Sequence, residues 1–160
     1  ILFVCTGNTC RSPLAEMVCK RLLSSRLGCR PEELEARGFV VGSAGVMAYP
    51  GEAASEGAVI AGAEFGADLS AHRSRPVNPE LLAGATHVIA MTGGHLAALA
   101  VRFPGVGPSP LPLADGFDIP DPIGGPMELY QQCAERMRRE LAGWVAKWKL
   151  EDDQPRKGSS

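Results

Sequence analysis

The ten residues VCTGNTCRSP, at 4–13, overlap the apolar run ILFV at 1–4 and lead into the helical pattern LAEMVCKRLLSSRL. No other stretch restricts the fold as much. A short run that is apolar throughout is the pattern of a strand covered on both faces, which is how strands of parallel sheets appear. Ser12 and Pro13 read as an N-cap and a first helical residue, and Gly28 as the stop of that helix. The loop between strand and helix therefore lies at a strand's carboxyl end, where open α/β sheets hold their ligands.

The rest of the chain repeats the alternation. FVVGSAGV (39–46) and THVIAMT (86–92) predict strands, and a short fourth is expected near Leu111–Leu113. Helices are expected over EAASEGAVIAGAEF, PELLAG and GGHLAALAVRF, the last terminated by Pro104 and Gly105. RPEELEARG reads as a polar connector. From Met127 to Lys149 apolar residues recur at helical spacing, which predicts the longest amphipathic helix. Strands alternating with helices give an α/β domain around a mostly parallel sheet. With 160 residues, one domain over 1–150 is expected, and EDDQPRKGSS (151–160) reads as a polar, disordered tail.

Charge and cysteine usage narrow the function. A formal net charge of -2 provides no field for nucleic acid, and no apolar stretch reaches the roughly 20 residues of a membrane span. The five cysteines, Cys5, Cys10, Cys19, Cys29 and Cys133, form neither a regular disulfide framework nor zinc-type pairs. The three histidines lack metal-site spacing. No metal and no cofactor are expected, and a reducing, cytoplasmic setting fits best. The sequence opens on Ile1 and not methionine, so it is read as trimmed or cut from a longer protein.

The opening loop has the makings of an anion cradle. Gly7 permits a tight turn and close approach to a ligand. Successive N–H groups from Thr6 to Ser12, closing on a helix N-terminus, suit a phosphate-like anion. Arg11 offers a planar fork for two oxygens. Without a G-K-[ST] sequence this is no nucleotide-type loop. Cys5, beneath the same cradle, is placed where positive dipoles favour a thiolate, a nucleophile aimed at phosphorus. Ser12 can steady that sulfur as it leaves. C-x5-R alone is weak; C-x5-R-S-P after an apolar strand is much more specific. A leaving group also needs a proton, and DIPDPIGG supplies Asp118 and Asp121, of which Asp121 is the candidate acid and then base.

VCTGNTCRSP and DIPDPIGG together resemble the low-molecular-weight protein tyrosine phosphatase family. SAG after the second strand, the HRS at His72–Ser74 and YQQC after the Asp-Pro loop add to the likeness, which covers roughly residues 1–149. The resemblance implies a single α/β domain with a four-stranded parallel sheet and helices on both faces, a phosphocysteine intermediate and a phosphorylated protein substrate. It implies Cys5 as nucleophile, Arg11 as clamp, Ser12 as support for the sulfur and Asp121 as acid. It also implies Asn8 as the residue that holds the loop's shape, with Ser43 and His72 either its partners or ordinary polar residues. Cys10 matches the family's second loop cysteine, which can trap Cys5 in a reversible disulfide, or it is a small residue tucked behind the loop. A monomer is expected.

Thr9 points to a branch. Tyrosine-specific members usually carry a bulky aliphatic residue there, whereas TGNT resembles the protein-arginine phosphatase branch. Ile123, after Asp-Pro, departs from the aromatic residue of both. Tyr49 either supplies the missing wall or is an exposed turn residue, and Asp118 either pairs with a guanidinium or caps its loop. A protein phosphoarginine phosphatase is thus expected, with a tyrosine phosphatase as the alternative. An arsenate reductase lacks its relay of mid-chain cysteines here, and a mere phosphate-binding module needs no nucleophile.

Overall fold

Successive residues of the first strand point to opposite sides, and each side finds its own core. The computed structural model describes residues 1–148 and 150. In β1 (Leu2–Cys5), Phe3 and Cys5 face one way and Leu2 and Val4 the other. Phe3 and Cys5 pack with Leu14 of α1 (Arg11–Leu27), Ala58 of α2 (Glu56–Glu64) and Met137 of α5 (Met127–Lys147). Leu2 and Val4 pack with Leu82 of α3 (Pro79–Gly84) and Leu99 of α4 (Gly93–Arg102). Burying each large aliphatic or aromatic side chain in these layers contributes about 1.5–3 kcal/mol. Helices therefore cover both faces of the sheet.

β2 (Gly42–Gly45), β3 (Val88–Ala90) and β4 (Leu111–Pro112) complete four parallel strands in the order β2-β1-β3-β4. The α/β, four-stranded parallel architecture is the one expected. β1 lies between β2 and β3, so the winding reverses there and a crevice opens beyond its carboxyl end. Residues 6–10 leave the sheet at that crevice.

Several boundaries differ from the sequence reading for local reasons. β2 is shorter than 39–46, because β1 offers only four residues to pair with, from Leu2↔Gly42 to Cys5↔Gly45. α2 starts at Glu56, not Glu52, since the Ser55 hydroxyl accepts the Ala58 N–H and caps it. β3 stops before Thr92, whose hydroxyl caps α4 by accepting the His95 N–H. RPEELEARG contains two 3-10 turns, Pro31–Glu33 and Glu35–Arg37. Gly28 ends α1 in the left-handed conformation, as predicted. The last helix ends at Lys147; Lys149 and the tail expected over 151–160 lie outside the described residues.

The start of α1 needs a correction. The helix begins at Arg11, with Cys10 and not Ser12 at the N-cap position and no side-chain cap. Pro13 is then the third helical residue, still among the four N–H positions that have no intrahelical acceptor, so its missing N–H costs nothing. The Ser12 hydroxyl is freed from capping and turns to the sulfur of Cys5.

Candidate active site

Cys5 ends β1 fully enclosed, and its sulfur gathers donors. Its Sγ lies 2.9 Å from Ser12 Oγ and accepts the Asn8 N–H at 3.3 Å. Asn8, not Gly7, makes the turn: its φ of 56° is the one positive value at a non-glycine position among the described residues. The reading of Gly7 as the turn-making residue is thus corrected. A Cβ at Gly7 would meet only Thr9 Oγ1, at an ordinary 3.8 Å. Space is needed instead at Gly45, where a Cβ would collide with the carbonyl oxygen of Thr6.

A left-handed asparagine is tolerable because its side chain bonds locally, and here every amide atom is used. Asn8 Nδ2 donates to Ser12 Oγ at 2.8 Å and Ser43 Oγ at 2.9 Å, and Oδ1 accepts the Arg75 N–H at 2.9 Å. The Asn8 carbonyl lies 2.7 Å from His72 Nε2. The Ser43 hydroxyl donates its own hydrogen bond to Glu16 Oε2 at 2.8 Å, and that oxygen lies 4.0 Å from His72 Nδ1. Lys20 at 3.1 Å takes up the other Glu16 oxygen. The structure thus brings Ser43 and His72 behind the loop, and adds Glu16 and Arg75, which the sequence reading did not single out. Glu16 sits one helical turn after Ser12, which was the available signal.

Asn8→Ala is expected to cost about 2–4 kcal/mol, combining left-handed strain with stranded buried donors. For a domain of this size that lowers the melting temperature by roughly 10 °C. Asn8→Gly relieves the strain and isolates the hydrogen-bond part. Calorimetry showing Asn8→Ala within about 1 kcal/mol of the parent would refute this account of the loop.

Arg11 is buried and reaches across the crevice. Its Nη1 donates to the Ile119 carbonyl at 3.1 Å, and its Nη2 lies 3.4 Å from Asp121 Oδ2 and 3.5 Å from Thr6 Oγ1. Asp121 Oδ1 accepts the Ile123 N–H at 3.1 Å, which folds the Asp-Pro loop back on itself. Asp118 Oδ1 takes the Gly93 N–H at 2.8 Å at the start of α4, so this oxygen caps a helix. Thr6 Oγ1 also lies 2.8 Å from Nε2 of His95, a buried residue the sequence reading passed over. Burial first, and then the Arg11 guanidinium, press the His95 imidazole down to about 4.

Thr9 is half-buried, while Tyr49 and Ile123 stand exposed at the surface. Cys10 is buried, with its Sγ 3.0 Å from the Ser55 hydroxyl that caps α2. All five cysteines are free. Among the described residues no helix is long and apolar enough to cross a membrane, and no cluster of three metal-ligating side chains occurs.

A sulfur under converging donors, with a buried guanidinium and a carboxylate opposite, can hold and attack a tetrahedral oxyanion. The same stretch of chain is covered by a family model: low molecular weight phosphotyrosine protein phosphatase matches residues 1–154. The chain belongs to this family. Among the relatives of this phosphatase, the protein-arginine-phosphatase of Geobacillus stearothermophilus is 40% identical over 143 residues, 86% of this chain and 87% of its own. That of Bacillus subtilis (strain 168) is 36% identical over 155 residues, 92% and 97% of the two chains. Among solved structures, a mutant of the YwlE arginine phosphatase with a phosphorylated active site serine superposes with a TM-score of 0.81 at 33% identity. That likeness covers 94% of this phosphatase and 96% of the other chain.

Proposed function

We propose that this phosphatase hydrolyses phosphorylated protein side chains through a phosphocysteine, with phosphoarginine preferred over phosphotyrosine. The observation that carries the reading is the Cys5 sulfur, held at the sheet's carboxyl edge by Ser12 Oγ at 2.9 Å and the Asn8 N–H at 3.3 Å. In the first step the sulfur attacks phosphorus while the bond to the substrate nitrogen or oxygen breaks. Asp121 gives that departing atom its proton, and Arg11 turns its fork from Asp121 to the phosphoryl oxygens. In the second step Asp121 takes a proton from water, whose oxygen attacks phosphorus, and sulfur leaves with support from Ser12. Inorganic phosphate and free Cys5 result, and the proton borrowed from Asp121 is restored. A nucleophilic thiol of this kind has to stay reduced, so we place the enzyme in the cytoplasm.

The preference for phosphoarginine is supported by the names of the two relatives above and by Thr9, half-buried in the loop wall. An isoleucine there widens the apolar wall that an aryl ring presses on and removes a hydroxyl from reach of a guanidinium. Thr9→Ile is therefore expected to move the ratio of kcat/KM values by about tenfold towards phosphotyrosine peptide. Steady-state rates on matched phosphoarginine and phosphotyrosine peptides test both points. A parent enzyme that prefers phosphotyrosine, or a ratio unmoved by the substitution, removes the branch assignment.

A further inference from the structure

We infer that His95 is a positioning residue for the anion clamp, acting through the Thr6 hydroxyl on the Arg11 guanidinium. The inference rests on the reading of Arg11 as that clamp. His95 is the third residue of α4, and the start of that helix is anchored twice. Thr92 Oγ1 accepts the His95 N–H at 3.2 Å, and Asp118 Oδ1 holds Gly93 at 2.8 Å. Among the described residues the ring has a single partner, Thr6 Oγ1 at 2.8 Å, and its Nδ1 is a buried side-chain atom with no hydrogen-bond partner. Leaving a polar ring atom unsatisfied in the interior costs about 1–3 kcal/mol, so a stability role alone would be better served by an apolar side chain.

The chain of contacts gives the ring its task. Arg11 Nη2 can only donate, so Thr6 Oγ1 accepts from it and keeps a second lone pair and its own hydrogen for a further partner. His95 Nε2 lies 2.8 Å from the same oxygen and fixes the hydroxyl, with the ring tautomer setting which of the two atoms donates. The charged groups around the ring, Arg11 from α1 and Asp118 and Asp121 from the Asp-Pro loop, act in opposite directions. Burial and Arg11 prevail and keep the ring uncharged through the neutral range. An imidazolium could not accept from Thr6 and would repel the guanidinium. Thr6 itself is exposed, so without His95 its hydroxyl would rotate freely and give Nη2 no fixed lateral stop. Arg11 would then be held by the Ile119 carbonyl and Asp121 alone.

His95→Phe, Thr6→Val, the double variant, His95→Gln and Arg11→Lys are compared by kcat/KM on an aryl phosphate and by the inhibition constant of inorganic phosphate. His95→Phe and Thr6→Val are each expected to lose about tenfold in both quantities, the worth of one hydrogen bond next to a charge. The double variant is expected to lose no more than about threefold beyond either single one, because both cut the same link. His95→Gln, whose amide can accept from Thr6, is expected to recover most of the loss. Losses that multiply in the double variant, or an unchanged phosphate inhibition constant, overturn the inference. Thr6→Val changes an exposed residue, so if His95→Phe fails to fold, wild-type values in Thr6→Val overturn it alone. Arg11→Lys separates the two levels: wild-type turnover there defeats the clamp reading, whereas a dead Arg11→Lys beside a normal Thr6→Val defeats only the role of His95.

The ring's neutrality has its own readout. It is neutral when folded down to about pH 4 but binds a proton near 6.5 when unfolded. Stability from His95 is thus complete above about pH 6.5 and is lost as pH falls towards 4. A melting temperature that drops no more steeply in the parent than in His95→Phe over that interval overturns the assignment of a neutral ring.

Discussion

Cys5→Ser is expected to abolish phosphate release, by roughly 10⁴- to 10⁶-fold, while the melting temperature stays close to that of the parent. Serine fits the space at the end of β1 and keeps a hydrogen-bonding atom facing Ser12 and the Asn8 N–H. What it lacks is sulfur chemistry: its oxygen is a poor nucleophile without a base beside it and a poor leaving group once phosphorylated. Two of the other thiols are unable to take over. Burial pushes both Cys19 and Cys133 up to about 12, far from ionisation at neutral pH. Rapid-quench labelling should find phosphate on Cys5 in the parent during turnover. Residual activity above about 1% in Cys5→Ser would mean that another group, or water directly, attacks phosphorus.

Asp121→Asn is expected to slow turnover by about 10²–10⁴-fold, and the loss should depend on the leaving group. A phenolate with an electron-withdrawing substituent departs almost unaided, so its rate falls least. A guanidine or an alkyl-substituted phenol needs a proton, so its rate falls most. A series of aryl phosphates should therefore give a steeper dependence of log kcat/KM, which reports the first step alone, on leaving-group acidity in the variant than in the parent. A uniform loss across the series would point to misplacement of Arg11, which touches Asp121 at 3.4 Å, in place of a lost acid. The two readings of one carboxylate are separated by slope.

The catalytic loop was legible because its ingredients are local. Strand, loop and helix follow each other within thirteen residues, and Cys5 meets Ser12, and Thr6 meets Arg11, through a single turn of chain. The two faces of the sheet were equally legible, since alternation along β1 and apolar spacing along α5 depend on near neighbours. Contacts spanning long stretches of sequence were not. Glu16 reads as an ordinary helix-surface acid until Ser43 and His72 are folded against it. His95 reads as one residue of a moderately apolar helix until the crevice places Thr6 against its ring, 89 positions away in the chain. The misplaced N-cap has a different cause. Ser-Pro at a helix start is a strong local signal, but the serine had a better use against the sulfur, and local preference yielded to the tertiary bond.

The contact between Arg11 and Asp121 sets a threshold at the mouth of the crevice. At rest the fork already has a carboxylate for company, so a visitor must offer it more negative charge than one acid group does. A monoester dianion meets that requirement; a diester, with one charge and a second bulky arm, does not. With Arg11 as the proposed clamp, selectivity for terminal phosphoryl groups would come from a rivalry inside the protein, before any wall of the pocket has been touched.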